Sequence, residues 1–135
     1  MEECIFCKIA AGEIPCAKVY ENESVVAFLD IMPAAPGHTL VVPKAHSANI
    51  TDIDPVDLHE VIASAQEIAP KIMKAMEADG FNIGMNNFPA AGQAVMHTHL
   101  HIIPRKKGDG LKMWAQRSYA EGEMDAVLRK ITGTG

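Results

Sequence analysis

The sequence has no run of apolar residues long enough to cross a membrane as a helix. Its first residues, Met1-Glu2-Glu3-Cys4, also lack the basic and apolar regions of a secretory signal peptide. We therefore predict a cytoplasmic protein that does not enter the membrane. Cysteine is scarce as well, with three residues in all. In a reducing compartment we expect this odd set to be thiols or metal ligands rather than disulfides.

The chain has fewer basic than acidic side chains. The chain has 12 lysine and arginine residues against 17 aspartate and glutamate residues, which gives a formal net charge of −5. This balance argues against a general surface for nucleic acid or for anionic membranes. If the substrate is anionic, the site itself must supply the local positive potential that the rest of the chain lacks.

With 135 residues, the chain is long enough to form one domain, residues 1–135, with its own core. The hydrophobic pattern predicts an α+β fold in which one long helix lies across a mostly antiparallel sheet. That helix is expected over residues 55–78, capped by Asp54, with a kink where Pro70 removes a backbone donor. The other predicted elements are helices at residues 4–13 and 119–131 and strands at residues 18–21, 24–30, 38–43, 81–87 and 95–104.

The most informative segment is His97-Thr98-His99-Leu100-His101, in which three of the six histidines occupy alternate positions. Side chains alternate between the two faces of an extended strand, so all three imidazoles are expected on one face. Three imidazoles on one face cannot form an ordinary core. They indicate a reaction centre, a metal site or both.

The spacing of the histidines alone does not choose between these chemistries. Neutral imidazole can attack an electrophilic phosphorus atom, and neighbouring rings can donate hydrogen bonds to its oxygens. Alternating histidines on strands also build zinc sites. The preceding loop favours a phosphate-bearing substrate, because small residues around Asn86, Asn87, Gly92 and Gln93 let backbone N–H groups approach an anion.

Cys4 and Cys7 have the Cys-x-x-Cys spacing of one half of a tetrahedral zinc site. Two thiols on the buried side of a helix would show the same spacing without any metal. The second half of a zinc site would have to come from histidines, because Cys16 lies at an unsuitable spacing. The cysteine pair by itself leaves both interpretations open.

These motifs resemble the histidine triad (HIT) superfamily, whose signature is His-φ-His-φ-His-φ-φ with φ an apolar residue. Thr98 stands at one φ position, a mild departure from the signature. The resemblance covers residues 4–105 in the family's order, and residues 106–135 form a carboxy-terminal extension. The matching segments ahead of the triad are residues 4–9, 27–31, 36–46 and 92–96.

The resemblance implies a HIT-like fold, a five-stranded antiparallel sheet with one long helix, in which the sheet extends across a homodimer. It also implies a hydrolase that cleaves at the α-phosphate of a nucleoside phosphoramidate or dinucleoside polyphosphate. His99 would be the nucleophile that takes the nucleoside monophosphate, and His101 would bind the phosphoryl oxygens. His38 matches a further active-site histidine of the family.

The partner implied by the resemblance is a purine nucleotide, an AMP-like small molecule, with no nucleic acid and no membrane. Asp30 would bind the ribose hydroxyls. The implied apolar walls around the base are Phe6, Ile9, Phe28 and Ile31. The implied phosphate site is formed by Asn86 and the amides around Gly92, Gln93 and Val95, beside His99 and His101.

One position departs from many relatives, which have a serine where this chain has Ala94. The serine hydroxyl can contact the leaving group, so the departure affects leaving-group assistance and not the nucleophile. One alternative function is therefore a module that binds purine nucleotides or a protein partner without catalysis. Another is a metallohydrolase in which His97, His99 and His101 hold one catalytic metal.

Bacterial and archaeal relatives often bind zinc through the cysteine pair, the histidine of Lys-x-His and the first triad histidine. On this resemblance, a closed structural zinc site is assigned to Cys4, Cys7, His46 and His97. Four protein ligands leave no open position, so such a zinc stabilises and orients rather than activating water. His99 and His101 would stay free for chemistry.

Overall fold

The computed structural model describes residues 4–133, which form three α-helices, five strands and one short 3₁₀ helix, Pro89–Ala91. Residues 1–3 and 134–135, which the predicted domain includes, lie outside the described residues. The helices are α1 (Ile5–Ala10), α2 (Pro55–Ala75) and α3 (Glu123–Thr132), and the strands are β1 (Lys18–Glu21), β2 (Val25–Leu29), β3 (Thr39–Pro43), β4 (Gly80–Gly84) and β5 (Leu100–Arg105).

The five strands form one antiparallel sheet in the order β1-β2-β3-β5-β4. A tight turn joins β1 to β2, and the Asn22 side chain stabilises it by accepting hydrogen bonds from the N–H groups of Ser24 and Val25, both at 2.8 Å. After β3 the chain passes through α2 to the edge strand β4, and β5 then returns between β3 and β4. The predicted α+β fold with a five-stranded antiparallel sheet is confirmed.

Helix α2 covers one face of the sheet and forms the main core with it. Asp54 caps the helix by accepting a hydrogen bond from the Val56 N–H at 2.8 Å, and Pro55 occupies the first turn, where no backbone donor is needed. The helix runs through Pro70 as a single element. The core joins Val61, Ala65, Ile68, Ala69 and Ile72 of α2 to Val25, Ala27, Val41, Leu100 and Ile102 of the sheet.

The opposite face of the sheet carries the short helix α1. A second apolar cluster forms there from Phe6, Val26, Phe28, Leu40 and Val42. His101 is the cross-strand partner of Leu40, and directly paired residues of antiparallel strands share a face. The candidate site residues on β5 therefore project on the α1 side, away from the main core.

The histidine strand is shorter than predicted. It begins at Leu100 rather than at residue 95, because its pairing with β3 extends only from Ile102 to Leu100. His97 and His99 thus precede the strand. The long helix also ends earlier, at Ala75 rather than residue 78, where Glu77 adopts a left-handed φ of 51°. The remaining predicted helices and strands are present, with ends shifted by a few residues.

Gly37 fixes the loop that leads into His38. Its φ of +92° lies in the left-handed region, and a Cβ there would stand 2.6 Å from Cγ of Met76 and 3.1 Å from Cγ of Pro104. Only glycine fits this position without moving those side chains. The loop that carries His38 is therefore held closely against the end of α2 and against β5.

After β5 the chain forms an exposed extension. The Arg105 guanidinium holds its start by donating to the Asp109 carboxylate at 2.7 and 2.9 Å and to the Leu111 carbonyl oxygen at 2.9 Å. No side chain of residues 106–133 is buried, and Trp114 is 83% exposed. Among the helices that the structure describes, none has the length and apolar character needed to span a membrane.

Candidate active site and metal centre

The three triad imidazoles lie on the face of the sheet that carries α1. Phe6 meets His97 and His99 edge to face, with ring centroids 6.0 and 5.1 Å apart, and the rings of His99 and His101 are 5.0 Å apart. Thr98 points the other way, and its hydroxyl lies 2.6 Å from that of Ser47. The alternation predicted from the sequence therefore holds, even though His97 and His99 precede β5.

The neutral ring of His99 presents an unprotonated nitrogen in the site. Its Nδ1 lies 2.7 Å from the carbonyl oxygen of His97. A carbonyl oxygen can only accept a hydrogen bond, so Nδ1 carries the proton of the neutral ring and Nε2 carries a lone pair. The residue is only 6% exposed, which protects this arrangement from competing water. A lone pair on imidazole nitrogen is the feature that attack on phosphorus requires.

His97 is turned toward the cysteine pair. Its Nε2 donates to the carbonyl oxygen of Pro43 at 2.7 Å, which leaves Nδ1 unprotonated. This Nδ1 lies 3.2 Å from Sγ of Cys4 and 3.5 Å from Sγ of Cys7. Burial lowers the pKa of His97 below its usual value, so the ring is neutral at pH 7 and can act as a metal ligand.

The local structure of α1 brings both thiols to this point. Cys4 is the N-cap of the helix, and its Sγ accepts a hydrogen bond from the Cys7 N–H at 3.2 Å. Burial, and then the neighbouring Cys4, raise the pKa of the Cys7 thiol to about 11. Metal binding at these cysteines must therefore displace thiol protons, because the thiolate is the ligand form.

The arrangement of the four candidate metal ligands fits zinc. Nδ1 of His46 lies 3.2 Å from Nδ1 of His97 and 3.3 Å from Sγ of Cys7. The four ligand atoms of Cys4, Cys7, His46 and His97 all lie within 4.8 Å of one another. A tetrahedral zinc with bonds of about 2.0–2.3 Å has ligand–ligand distances of about 3.3–3.8 Å. The Pro43 carbonyl supplies the outer hydrogen bond that orients a metal-bound histidine.

A second polar cluster joins His38, His101 and Asp30. Nε2 of His38 lies 2.9 Å from Nδ1 of His101 and 3.6 Å from Oδ2 of Asp30. Nδ1 of His38 accepts a hydrogen bond from the Ala34 N–H at 2.9 Å. Burial lowers the pKa of His38, and burial together with the neighbouring imidazoles lowers that of His101 to about 4. Both rings are therefore neutral at pH 7.

Three of the four residues expected to wall the base lie together. Phe6 and Phe28 meet edge to face with centroids 5.5 Å apart, and Ile9 packs against the same cluster. Ile31 stands apart and is 93% exposed. Asp30 follows β2, and its N–H donates to the carbonyl oxygen of His38 at 2.9 Å. This backbone bond holds Asp30 beside His38, whose Nε2 lies 3.6 Å from the Asp30 carboxylate.

The Gln93 side chain holds the loop before the triad rather than facing a ligand. Its Nε2 donates to the carbonyl oxygens of Ala48 and Val95 at 2.5 and 2.9 Å. Its Oε1 accepts from the Phe88 N–H at 2.8 Å and from Nδ2 of Asn49 at 3.4 Å. Both amide hydrogens and both oxygen lone pairs are thereby used. Gln93 can serve the phosphate site only by shaping this loop.

The same loop offers free backbone donors. The N–H groups of Gly92 and Gln93 are taken up within the turn at 2.9 and 3.2 Å. No hydrogen bond among the described residues uses the N–H of Ala94 or Val95. The Asn86 amide lies beside Gly92, where a Cβ would stand 3.6 Å from Asn86 Nδ2. Of the predicted phosphate-binding groups, Asn86 and the Val95 N–H are thus available to an anion.

A cavity of about 630 Å³ lies beside His101. Its walls include Asn86, the cationic side chains of Arg105 and Lys112, and the apolar residues Leu111, Met113 and Trp114 of the extension. In the sequence, Leu111, Met113 and Trp114 stand out only as apolar residues after the last strand, which could cover either a dimer partner or the core. The backbone groups of Ala34, Pro43 and His97 carry no sequence signal at all.

Comparisons with known proteins identify the family of this chain. A model of the HIT domain matches residues 11–108. The chain belongs to the HIT family. Protein hit of Bacillus subtilis, a HIT-family relative, is 50% identical over 135 residues, which cover 98% of this chain and 92% of that protein. Adenylylsulfatase HINT3 of Arabidopsis thaliana is 42% identical over 116 residues, which cover 86% of this chain and 58% of that protein.

Solved structures match the HIT fold over nearly the whole chain. A Streptococcus mutans protein has a TM-score of 0.92 at 41% identity, covering 98% of this chain and 85% of its own. A zinc-bound histidine triad family protein from Mycobacterium smegmatis has a TM-score of 0.79 at 36% identity, covering 99% of both chains. A histidine triad nucleotide-binding protein from Candida albicans has a TM-score of 0.83 at 33% identity, covering 97% of this chain and 96% of its own.

Proposed function

We propose that this HIT protein is a hydrolase that binds a purine nucleotide and cleaves a bond at its α-phosphate. The observation that carries the proposal is the hydrogen bond from His99 Nδ1 to the His97 carbonyl oxygen, because it leaves Nε2 free to attack phosphorus. The proposed substrate is a nucleoside phosphoramidate or a dinucleoside polyphosphate.

The proposed reaction consists of two displacements at phosphorus. First, Nε2 of His99 bonds to the α-phosphorus while the bond from phosphorus to the leaving nitrogen or oxygen breaks, and the leaving atom keeps the electron pair. This step produces a nucleotidyl-histidine. Water then attacks the phosphorus, the nitrogen–phosphorus bond breaks, and the nucleoside monophosphate departs as the water proton is released to solvent.

Substrate binding is assigned to the groups that surround His99. The base would lie against the Phe6, Ile9 and Phe28 cluster, with the exposed Ile31 at its rim. The ribose hydroxyls would bind to the carboxylate of Asp30. The phosphate would be held by His101, Asn86 and the N–H of Val95, in the loop that Gly92 and Gln93 shape.

The names of two relatives support a nucleotide substrate. One is an adenylylsulfatase and another is a nucleotide-binding protein. In this chain Ala94 offers no hydroxyl to a leaving group, so the group must leave without help from that position. The alternative that this residue favours is a module that binds the nucleotide without cleaving it.

Trapping the covalent adduct tests the proposed hydrolase. A purine nucleoside phosphoramidate labelled at the α-phosphorus should transfer label to His99 within the first turnover, in a form that survives alkaline quenching and is lost in acid. Binding of nucleotide with no labelled protein, for several purine phosphoramidates, would support the non-catalytic module. Turnover without labelled protein, abolished by a chelator and restored by added metal, would support the metallohydrolase.

We also propose that Cys4, Cys7, His46 and His97 hold a structural zinc ion. A zinc-bound relative and the fit of the four ligand atoms to tetrahedral distances support this assignment. With four protein ligands, zinc would join α1 to the segment before β5 and take no part in the reaction. It would thereby fix the position of the His97 carbonyl that orients His99.

A homodimer joined through β4 is the proposed assembly. Strand β4 lies at the edge of the sheet, and its Phe81 and Ile83 are 37% and 47% exposed. Exposed edge strands with apolar side chains tend to be covered. Sedimentation analysis should give twice the chain mass, and Ile83→Asp should produce monomers. Ile62→Asp, at an equally exposed site on α2, should stay dimeric. A wild-type monomer at tens of micromolar would contradict the proposal.

A further inference from the structure

We infer that His38 is a positioning residue that determines which nitrogen of His101 carries the proton, so that His101 presents an N–H group to the phosphoryl oxygens of the substrate. Two consecutive hydrogen bonds carry this inference, and they begin at the backbone N–H of Ala34. The inference rests on the proposed function for the identity of the acceptor. The tautomer itself is a property of the free protein.

The first hydrogen bond fixes the tautomer of His38. The Ala34 N–H can only donate, so Nδ1 of His38, 2.9 Å away, must accept. A neutral His38 therefore carries its proton on Nε2. A doubly protonated ring would point an N–H at the Ala34 N–H, and this geometry disfavours that form.

The second hydrogen bond determines the tautomer of His101. Nε2 of His38 has Nδ1 of His101 at 2.9 Å and the Asp30 carboxylate oxygen at 3.6 Å, and only the shorter distance is that of a hydrogen bond. His38 therefore donates to Nδ1 of His101. With Nδ1 acting as an acceptor, the proton of the neutral His101 ring must lie on Nε2.

The Nε2–H of His101 has no acceptor within the part of the chain that the structure describes, although the atom is buried. Buried donors in proteins are almost always paired, so this one is suited to an acceptor that a ligand brings. A phosphoryl oxygen can only accept, and it gains negative charge as His99 attacks. In the opposite tautomer, His101 would present a lone pair to that oxygen and repel it.

His99 and His101 therefore carry opposite tautomers although their rings are 5.0 Å apart. A backbone carbonyl, that of His97, places the proton of His99 on Nδ1 and frees Nε2 as nucleophile. A backbone N–H, that of Ala34, acts through His38 to place the proton of His101 on Nε2. The backbone acceptor thus leaves His99 with a lone pair for attack, and the backbone donor leaves His101 with an N–H group for hydrogen bonding.

A metal ion shared by Asp30, His38 and His101 is the competing interpretation, since their ligand atoms lie within 4.8 Å of one another. Nε2 of His38 would then need a lone pair, and the proton of the neutral ring would have to move to Nδ1. There it would face the Ala34 N–H, and the 2.9 Å hydrogen bond would be lost. The backbone contact therefore favours the hydrogen-bonded chain over a metal site.

The tautomer of His101 can be measured in the free protein by long-range ¹H–¹⁵N correlation spectra of its ring nitrogens near neutral pH. We expect Nε2 protonated and Nδ1 unprotonated in the wild type and in His38→Gln, whose carboxamide can donate to Nδ1. His38→Leu has no donor and should give a mixture of tautomers. His59→Leu, at an exposed site on α2, should match the wild type.

A wild-type spectrum with Nδ1 of His101 protonated would overturn the inference, and so would a single unchanged tautomer in folded His38→Leu. The wild-type spectrum can contradict the inference by itself, so the test remains decisive even if His38→Leu does not fold. In turnover, His38→Leu should lower kcat by about 10- to 100-fold with a smaller change in KM, and His38→Gln should restore most of it. Absent wild-type turnover would refute the proposed function and leave the tautomer assignment standing.

Discussion

Replacement of His99 by asparagine is expected to lower kcat by at least about 10⁴-fold, the scale on which removal of a nucleophile acts. Asparagine keeps a polar side chain that can donate to the His97 carbonyl oxygen, but it has no Nε2 to bond to phosphorus. Nucleotide affinity should change by only about threefold, because the apolar wall and the loop donors remain in place. Steady-state kinetics and calorimetric titration with a nucleoside monophosphate measure the two effects.

The matched control for His99→Asn is His59→Asn, which makes the same substitution at an exposed position on α2. This control should retain wild-type kcat and affinity. If His99→Asn kept a tenth or more of the wild-type kcat, His99 would not be the nucleophile and the proposed mechanism would be wrong. Loss of nucleotide binding together with turnover would instead indicate that asparagine disturbs the site.

Replacement of Cys4 by serine is expected to abolish zinc retention and to lower Tm by on the order of 10 °C. Serine is a good N-cap residue, so α1 keeps its cap while the metal loses one thiolate. The expected loss of stability therefore reports the metal, which would join α1, His46 and the residues before β5. Elemental analysis after gel filtration and thermal unfolding followed by circular dichroism provide the measurements.

The control for Cys4→Ser is Cys16→Ser, because Cys16 lies outside the proposed ligand group. It should bind zinc and unfold as the wild type does. Equal zinc content and equal Tm in Cys4→Ser and the wild type would overturn the zinc assignment. Below its lowered Tm, Cys4→Ser should still form the His99 adduct, since no ligand takes part in the reaction. If a chelator abolished turnover of the wild type while Cys4→Ser retained wild-type turnover, a catalytic metal at the triad would be favoured.

The general architecture was predictable because it depends on local patterns. The cap at Asp54, the proline at the first turn and the helical spacing of apolar residues predicted α2. The alternation of His97, His99 and His101 predicted their common face. Their strand was predicted too long, because a strand ends where its neighbours stop pairing, and that limit depends on β3 and β4.

The candidate site was predictable to the extent that residue types determine it. The family resemblance implied a group of four cysteines and histidines that their spacing alone left open, and the fold brings those four together. The role of Gln93 was not predictable, because a free and a fully hydrogen-bonded amide look the same in a sequence. The exposed position of Ile31 and the cavity beside Leu111–Trp114 depend on how distant segments pack.

Residue types and their spacing specify the components of the site: three alternating imidazoles, two thiols at helical spacing and a loop of small residues before the imidazoles. What each imidazole can do depends on the packing of distant segments around it. The carbonyls of Pro43 and His97 and the N–H of Ala34 determine the protonated nitrogen of each neighbouring ring. Every residue has such backbone groups, so their effect depends on position in the fold and not on residue type.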